Sequence, residues 1–190
     1  MPQTLKIRCE WVGIDPLMIL YHDKEWGVQV HNESLLFEFL ILEGAQAGLS
    51  WITVLRKREN YKEAFDSFNV KKIASYNPRK INSLLGNPGI IRNKLKIAST
   101  IQNAKAFIAI QKEFGSFDKY IWQFVENIQI KHSFKKMSDY PSKTEEAEAM
   151  SKDLLKRGFK FVGPTICYAF MQAVGMVNDH QPQCFRYTEV

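Results

Sequence analysis

Apolar residues recur every three or four positions along most of the chain, a spacing that predicts helices. The clearest helix begins at the N-cap candidates Asn32 and Ser34 and runs to about Gly44. Ser142 and Glu145 have the spacing of a capping box before a segment that ends at Gly158. The same spacing predicts further helices at residues 50–68, 70–76, 78–85, 91–114, 117–125 and 164–176.

Alternation with a period of two is essentially missing, so strands are not expected. The chain has 190 residues, a length that suits one ordinary domain. We therefore expect an all-α fold in a single domain spanning 1–190, with its helical core at about 32–176. The N-terminal 30 residues and the last 14 show no clear period and are predicted to be irregular.

Composition excludes several classes of protein. No apolar run reaches the roughly 18 residues of a membrane span, and the first six residues lack the apolar stretch of a signal peptide. Three widely spaced cysteines do not make a disulfide framework. These features predict a soluble, cytoplasmic protein with no membrane partner and reduced thiols.

Positive charge is concentrated in one part of the chain. The net charge is +6, yet Ser67 to Lys112 contains nine basic residues and no acidic one. Such a segment is typical of a surface that meets phosphates, although solvated helix faces explain the charge equally well.

A tight turn lies inside this basic segment. Gly86-Asn87-Pro88-Gly89 separates two helical patterns, and Arg92 and Lys94 follow it. Backbone N–H groups at such a turn can bind a DNA phosphate without reading sequence, as in helix–hairpin–helix elements. The alternative is an ordinary connection between two helices. The phosphate hypothesis names Gly89, Arg92 and Lys94 as DNA-binding residues.

Two cysteines and two histidines lie near the ends of the chain: Cys9 and His22, then His180 and Cys184. Two thiolates and two imidazoles would fill the tetrahedral shell of a structural zinc ion. Their order is not that of a zinc finger, so spacing alone leaves independent roles open. The third cysteine, Cys167, stands within an apolar helix pattern and is predicted to be a core residue.

Glu43 ends a strongly apolar helix and is followed by a small-residue loop and Trp51. Trp11 and Tyr21 are further aromatic residues in irregular surroundings. A carboxylate beside aromatic faces suits a flat, nitrogen-rich cationic ring, because the faces stack and the carboxylate accepts from an exocyclic amine. Alternatively, Glu43 is a solvent-side residue and Trp51 a core anchor.

Six blocks of the sequence carry a resemblance to one known family. These blocks are Trp26-Gly27, Leu42–Leu55, Lys57–Tyr61, Lys156–Gly163, Thr165–Tyr168 and Asn178–His180. From about Cys9 to Cys184 the chain closely resembles the 3-methyladenine DNA glycosylase I (Tag) family, within the helix–hairpin–helix glycosylase superfamily. The resemblance implies one structural zinc per chain joining termini 1–31 and 177–190, and its ligands are Cys9, His22, His180 and Cys184. It also implies a base pocket made of Trp11, Tyr21, Glu43 and Trp51.

The sequence departs from the family pattern at three places. Met18 stands where relatives often carry a pocket tyrosine, Ala45 precedes Gln46 where relatives can carry Gln-Gln, and the tail after Cys184 is unlike that of relatives.

The resemblance further implies a monofunctional enzyme that flips out and hydrolytically releases 3-methyladenine from double-stranded alkylated DNA, as a monomer and without an organic cofactor. The family lacks the water-activating aspartate of its superfamily, and a cationic base is a good leaving group. Glu43 is expected to be catalytic through base recognition and charge, and Trp11 and Trp51 to stack. The loop from Gln46 to Leu49 is a candidate wedge for the vacated base stack. A non-catalytic DNA-binding module and a zinc hydrolase are the competing hypotheses.

Overall fold

The computed structural model describes residues 6–190, and within them the chain is mostly helical, as predicted. The α-helices are α1 (Pro16–Lys24), α2 (Glu33–Gln46), α3 (Trp51–Leu55), α4 (Arg58–Ala64), α5 (Val70–Ala74), α6 (Pro78–Gly86), α7 (Lys94–Phe114), α8 (Phe117–Trp122), α9 (Glu145–Lys156) and α10 (Pro164–Ala173). The expectation that the chain has no strands is wrong in one place, because two short strands, β1 (Ile130–Lys131) and β2 (Val177–Asn178), pair in parallel.

Helix α2 lies at the centre of the fold. The side chain of Asn32 caps it by accepting a hydrogen bond from the backbone N–H of Leu35 at 3.0 Å. Every residue from Leu36 to Ala45 is buried, so the helix is covered on all sides, by α3, α7, α8 and α10 among others. A helix that is apolar almost all round belongs inside a core. Glu43 enters that core with it.

The predicted helix at 50–68 is wrong in extent, because the chain bends twice there. Helices α3 and α4 are followed by a 3₁₀ turn at Asp66–Phe68. Asp66, Ser67 and Phe68 all have positive φ angles between 51° and 55°, which no continuous right-handed helix allows. Phe65 and Phe68 are buried, and their packing holds this bend in place.

Two predicted helix starts are also wrong. Helix α7 begins at Lys94 instead of residue 91, because the Asn93 side chain accepts from the N–H groups of Leu95 and Lys96. Helix α9 is capped by Thr144 and not by a capping box from Ser142.

The terminal segments are more ordered than predicted; residues 1–5 of the expected irregular N-terminus lie outside the described residues. A 3₁₀ turn at Glu10–Val12 precedes α1, which the side chain of Asp15 caps. Near the other end, β2 pairs with β1 and a 3₁₀ turn spans Phe185–Thr188.

The two ends meet through protein contacts. The N–H of Phe185 donates to the carbonyl of Ile7 at 2.9 Å, and the N–H of Glu10 donates to the Gln181 side chain at 2.9 Å. Among the helices of residues 6–190, none combines the length and apolar character needed to cross a membrane.

Candidate active site and metal centre

The four cysteine and histidine residues of the predicted metal site lie together and are buried: Cys9, His22, His180 and Cys184. Their donor atoms all lie within 4.8 Å of one another. Cys9 Sγ is 3.5 Å from His180 Nδ1, and Cys184 Sγ is 3.4 Å from His22 Nε2 and 3.6 Å from His180 Nδ1. A tetrahedral zinc ion would set sulfur–nitrogen separations of about 3.6 Å. The group can therefore hold a metal ion.

Each imidazole is oriented by an oxygen acceptor at the ring nitrogen that faces away from the thiols. His22 Nδ1 lies 2.8 Å from the carboxylate of Asp23, and His180 Nε2 lies 2.9 Å from the carbonyl of Trp26. Oxygen acceptors of this kind fix which ring nitrogen faces a metal. Asp23 is held in turn by hydrogen bonds from the guanidinium of Arg8.

The pKa values of the two thiols are shifted in opposite directions. The interaction between the two sulfur atoms lowers the pKa of Cys184 and, together with burial, raises the pKa of Cys9. A divalent cation bound here would favour the thiolate form of both cysteines.

A cavity of about 310 Å³ lies beside this cluster. It is lined by all four predicted base-binding residues, which are Trp11, Tyr21, Glu43 and Trp51. The rings of Tyr21 and Trp51 are 5.2 Å apart between centroids, and those of Trp11 and Tyr21 are 6.4 Å apart. The structure thus brings together residues that are separated by up to 40 positions in the sequence.

Glu43 is the charged member of the pocket. Only 4% of its surface is exposed, and burial raises the pKa of its carboxyl to about 8. The helix-end alternative, in which this side chain faces solvent, is wrong. Burial also raises the pKa of Tyr21, and the neighbouring Glu43 adds to that shift. In neutral solution the free pocket therefore favours a neutral phenol and a protonated acid.

Two hydrogen-bond donors in the pocket have no partner among residues 6–190: the indole N–H groups of Trp11 and Trp51 are buried and unpaired. Buried donors normally have acceptors, and both of these belong to side chains that line the cavity.

The pocket and the cluster of Cys9, His22, His180 and Cys184 share a wall. The Trp11 ring contacts the His22 ring edge-on at 5.4 Å between centroids, and the Trp26 ring contacts His180 in the same way at 4.6 Å. Because Trp11 and Trp26 line the cavity, changes at the cluster are expected to reach the pocket.

Several pocket residues were missed by the sequence reasoning. Met137 comes from the connection before α9, whereas α10 contributes Tyr168 and Gln172. Tyr168 belongs to a block that carries the family resemblance, which was the one available signal. Met18, one of the positions that departs from the expected family pattern, also lines the cavity, so this part of the wall is a thioether.

In the hairpin between α6 and α7, two backbone N–H groups that were expected to be free are already hydrogen-bonded. The Gly89 N–H is already bonded to the Asn87 side chain at 2.8 Å, and the Ile91 N–H donates to the Tyr61 hydroxyl at 3.3 Å. Arg92 and Lys94 are exposed at the start of α7. In the predicted phosphate site, these two side chains are therefore more available to a phosphate than the bonded backbone N–H groups.

The Gln46–Leu49 loop lies beside this hairpin. The ammonium of Lys96 on α7 donates to the carbonyls of Ala45 and Ala47 at 2.7 and 2.8 Å. Gln46 lines the pocket, and Leu49 is 41% exposed. Lys96 thus ties the loop to the hairpin helix.

Two remaining expectations concern Cys167 and the tail after Cys184. Cys167 is a buried core residue, as predicted. The tail folds back onto β2, where Asn178 Nδ2 donates to the carbonyl of Val190 at 2.9 Å. The Arg186 N–H lies 3.4 Å from Cys184 Sγ. The tail after Cys184 thus packs against β2 and beside the Cys/His cluster.

Comparison with known proteins extends over most of the chain. A family described as methyladenine glycosylase matches residues 11–187. A DNA-3-methyladenine glycosylase of Haemophilus influenzae is 48% identical over 177 residues, which are 93% of this chain and 96% of that protein.

Solved structures agree with this match. A crystal structure of 3-methyladenine DNA glycosylase I is 49% identical with a TM-score of 0.92, covering 94% of this chain and 98% of that one. A Staphylococcus aureus 3-methyladenine DNA glycosylase I, solved to explain 3-methyladenine recognition, is 34% identical with a TM-score of 0.91, covering 94% and 95%.

Proposed function

This chain belongs to the methyladenine glycosylase family, and from that membership and the geometry of the pocket we propose that it releases 3-methyladenine from alkylated DNA. The observation that carries the proposal is the buried carboxylate of Glu43 in a cavity walled by Trp11, Tyr21 and Trp51. A module that only binds DNA has no need of such a pocket. A zinc hydrolase needs an open metal position, and four protein ligands leave none.

The chemistry assigned to the pocket follows from charge. 3-Methyladenine in DNA is a cationic base, and aromatic walls accept its face while Glu43 accepts from its edge. A cation in the pocket lowers the pKa of Glu43, so the acid ionises as the base enters. Attraction to that ionised carboxylate holds the base out of the DNA stack while the glycosidic bond breaks toward an oxocarbenium-like sugar.

The residues lining the pocket fit a monofunctional enzyme. Within residues 6–190 the lining contains no lysine that could form a Schiff base and no acid except Glu43. Water is therefore the acceptor of the sugar, and catalysis depends mainly on binding the departing base. Hydrolysis in this form needs no organic cofactor.

The direct test is a base-release assay. Purified protein is incubated with methylated duplex DNA, and the freed bases are separated by chromatography. We expect release of 3-methyladenine without strand cleavage by the protein itself. Tight binding to the DNA with no free base would instead support the non-catalytic module.

We further infer that the cluster of Cys9, His22, His180 and Cys184 holds one structural zinc ion. The donor set, its spacing and the oriented imidazoles support zinc over harder cations, which prefer oxygen ligands. Bound zinc would join the terminal segments and leave the chemistry to the pocket beside it.

For DNA we propose that Arg92 and Lys94 contact phosphates and that Leu49 enters the stack. All three are exposed, and Lys96 links the loop to the hairpin helix. With the hairpin, loop and pocket on one chain, we propose that a cytoplasmic monomer acts on double-stranded DNA.

Charge reversal at Arg92 or Lys94 is expected to weaken binding to undamaged DNA for every sequence. Each lost phosphate contact should reduce the slope of log affinity against log salt by about one. Fluorescence anisotropy over a salt series measures both effects. Lys152→Glu on α9 is the matched control, and a slope that falls equally in that variant would move the phosphate site away from the hairpin.

Leu49→Ala is expected to slow excision from duplex DNA by roughly 10- to 100-fold, because the empty stack is no longer filled. Affinity for free 3-methyladenine should not change, since the free base needs no wedge. Leu155→Ala, which truncates another half-exposed leucine, is the control. Normal single-turnover excision by the Leu49 variant would contradict the wedge.

A further inference from the structure

One buried residue, Asp179, accepts hydrogen bonds from three side chains that line the pocket, two at its carboxylate and one at its backbone carbonyl. The Tyr168 hydroxyl donates to Asp179 Oδ2 at 2.5 Å, and Gln172 Nε2 donates to the same atom at 2.7 Å. The Tyr140 hydroxyl donates to the backbone carbonyl of Asp179 at 2.8 Å. Asp179 is 1% exposed and does not itself line the cavity.

The second oxygen of this carboxylate is also engaged. His132 Nδ1 lies 2.5 Å from Asp179 Oδ1, and the backbone N–H of His132 donates to the backbone carbonyl of Asn178 at 3.0 Å. The carboxylate is thus anchored from the β1 side of the small sheet. It is also next in sequence to the cluster residue His180, whose N–H donates to the Asn178 side chain.

We propose that Asp179 is a positioning residue for the base pocket and acts through Tyr168 and Gln172. Those two side chains come from one helix, α10, and share one acceptor atom, so Asp179 sets the orientation of both at once. A pocket that binds a flat base by stacking needs walls held in place before the base arrives. This proposal rests on the base-binding role of the pocket.

The decisive variant is Tyr168→Phe, which keeps the ring on the pocket wall and removes only the hydroxyl bonded to Asp179. We expect affinity for free 3-methyladenine, followed by tryptophan fluorescence, to fall by about tenfold. Single-turnover excision should slow as well, while metal content and binding to undamaged DNA stay unchanged.

Tyr120→Phe is the matched control. Its hydroxyl donates to Asp153 at 2.6 Å, and neither residue lines the pocket. Both variants lose a tyrosine–carboxylate hydrogen bond and should melt earlier. Only the Tyr168 variant should lose affinity for the base.

A double-mutant cycle separates positioning from direct contact. If Asp179 acts through Tyr168, the loss of base affinity in the Asp179→Asn/Tyr168→Phe double variant, relative to the wild type, should be smaller than the product of the two single-variant losses. If Asp179→Asn fails to fold, the Tyr168 and Tyr120 comparison decides alone. A Tyr168→Phe protein that melts earlier yet binds and excises normally would overturn the proposal. A wild-type protein that releases no 3-methyladenine would overturn the proposed function instead.

Discussion

Glu43→Gln is expected to slow excision of 3-methyladenine by about 10- to 150-fold, the rate equivalent of losing a charge-assisted contact worth about 1.5–3 kcal/mol. Glutamine resembles the protonated acid of the free pocket in size and hydrogen bonding, but it cannot ionise when the cationic base enters. Binding to undamaged DNA should stay the same. Single-turnover kinetics on methylated duplex DNA measure the effect.

The same variant has an expected stability signature. The pKa of Glu43 is raised in the folded protein to about 8, whereas in the unfolded chain it is about 4.3. Between these pH values Glu43 is protonated in the folded state and ionised in the unfolded chain. The free energy of unfolding of the wild type therefore falls progressively as pH rises. Glu43→Gln removes this term and should be increasingly more stable than the wild type from about pH 4.3 to 8.

Glu38→Gln is the matched control on the same helix. Glu38 is also buried, but its carboxylate pairs with Arg58 at 2.5 Å and does not line the pocket. Removing that charge leaves the largely buried guanidinium of Arg58 without one of its two carboxylate partners, so this variant should lose stability. Normal excision by the Glu43 variant, together with lost stability, would return Glu43 to a structural role.

Removal of the proposed zinc should have the largest effect on stability. At a free zinc concentration a thousand times above Kd, binding contributes about 4 kcal/mol to folding. A protein of this size then melts roughly 8–16 °C lower without the ion. Cys184→Ala should lose the metal and show this shift in calorimetry.

Cys167→Ala provides the comparison, because Cys167 is equally buried but lies outside the metal cluster. It should retain about one zinc per chain by elemental analysis. A wild-type protein that is free of metal and melts normally would refute the site. Weaker binding of 3-methyladenine by the metal-free protein would support the expectation that changes at the cluster reach the pocket through Trp11 and Trp26.

The fold was predictable where the apolar pattern is local and regular. Helix α2 and the hairpin between α6 and α7 follow from caps, apolar spacing and a Gly/Pro turn. Prediction failed at α1, where apolar and polar residues have no helical period and the Asp15 cap decides the start. It failed again at Asp66–Phe68, because packing of the aromatic side chains forces left-handed backbone there.

The sequence by itself determined which chemistry was available: two thiols and two imidazoles near the chain ends, one acid near aromatic rings, and a basic segment without acids. Only the tertiary structure decided that Cys9 and His22 meet His180 and Cys184, across 157 intervening residues, and that Glu43 is buried. It alone placed Asp179 behind the pocket wall. The physical reason is that helix periodicity depends on neighbours along the chain, whereas metal-ligand geometry and desolvation of a carboxylate depend on distant segments that packing brings together.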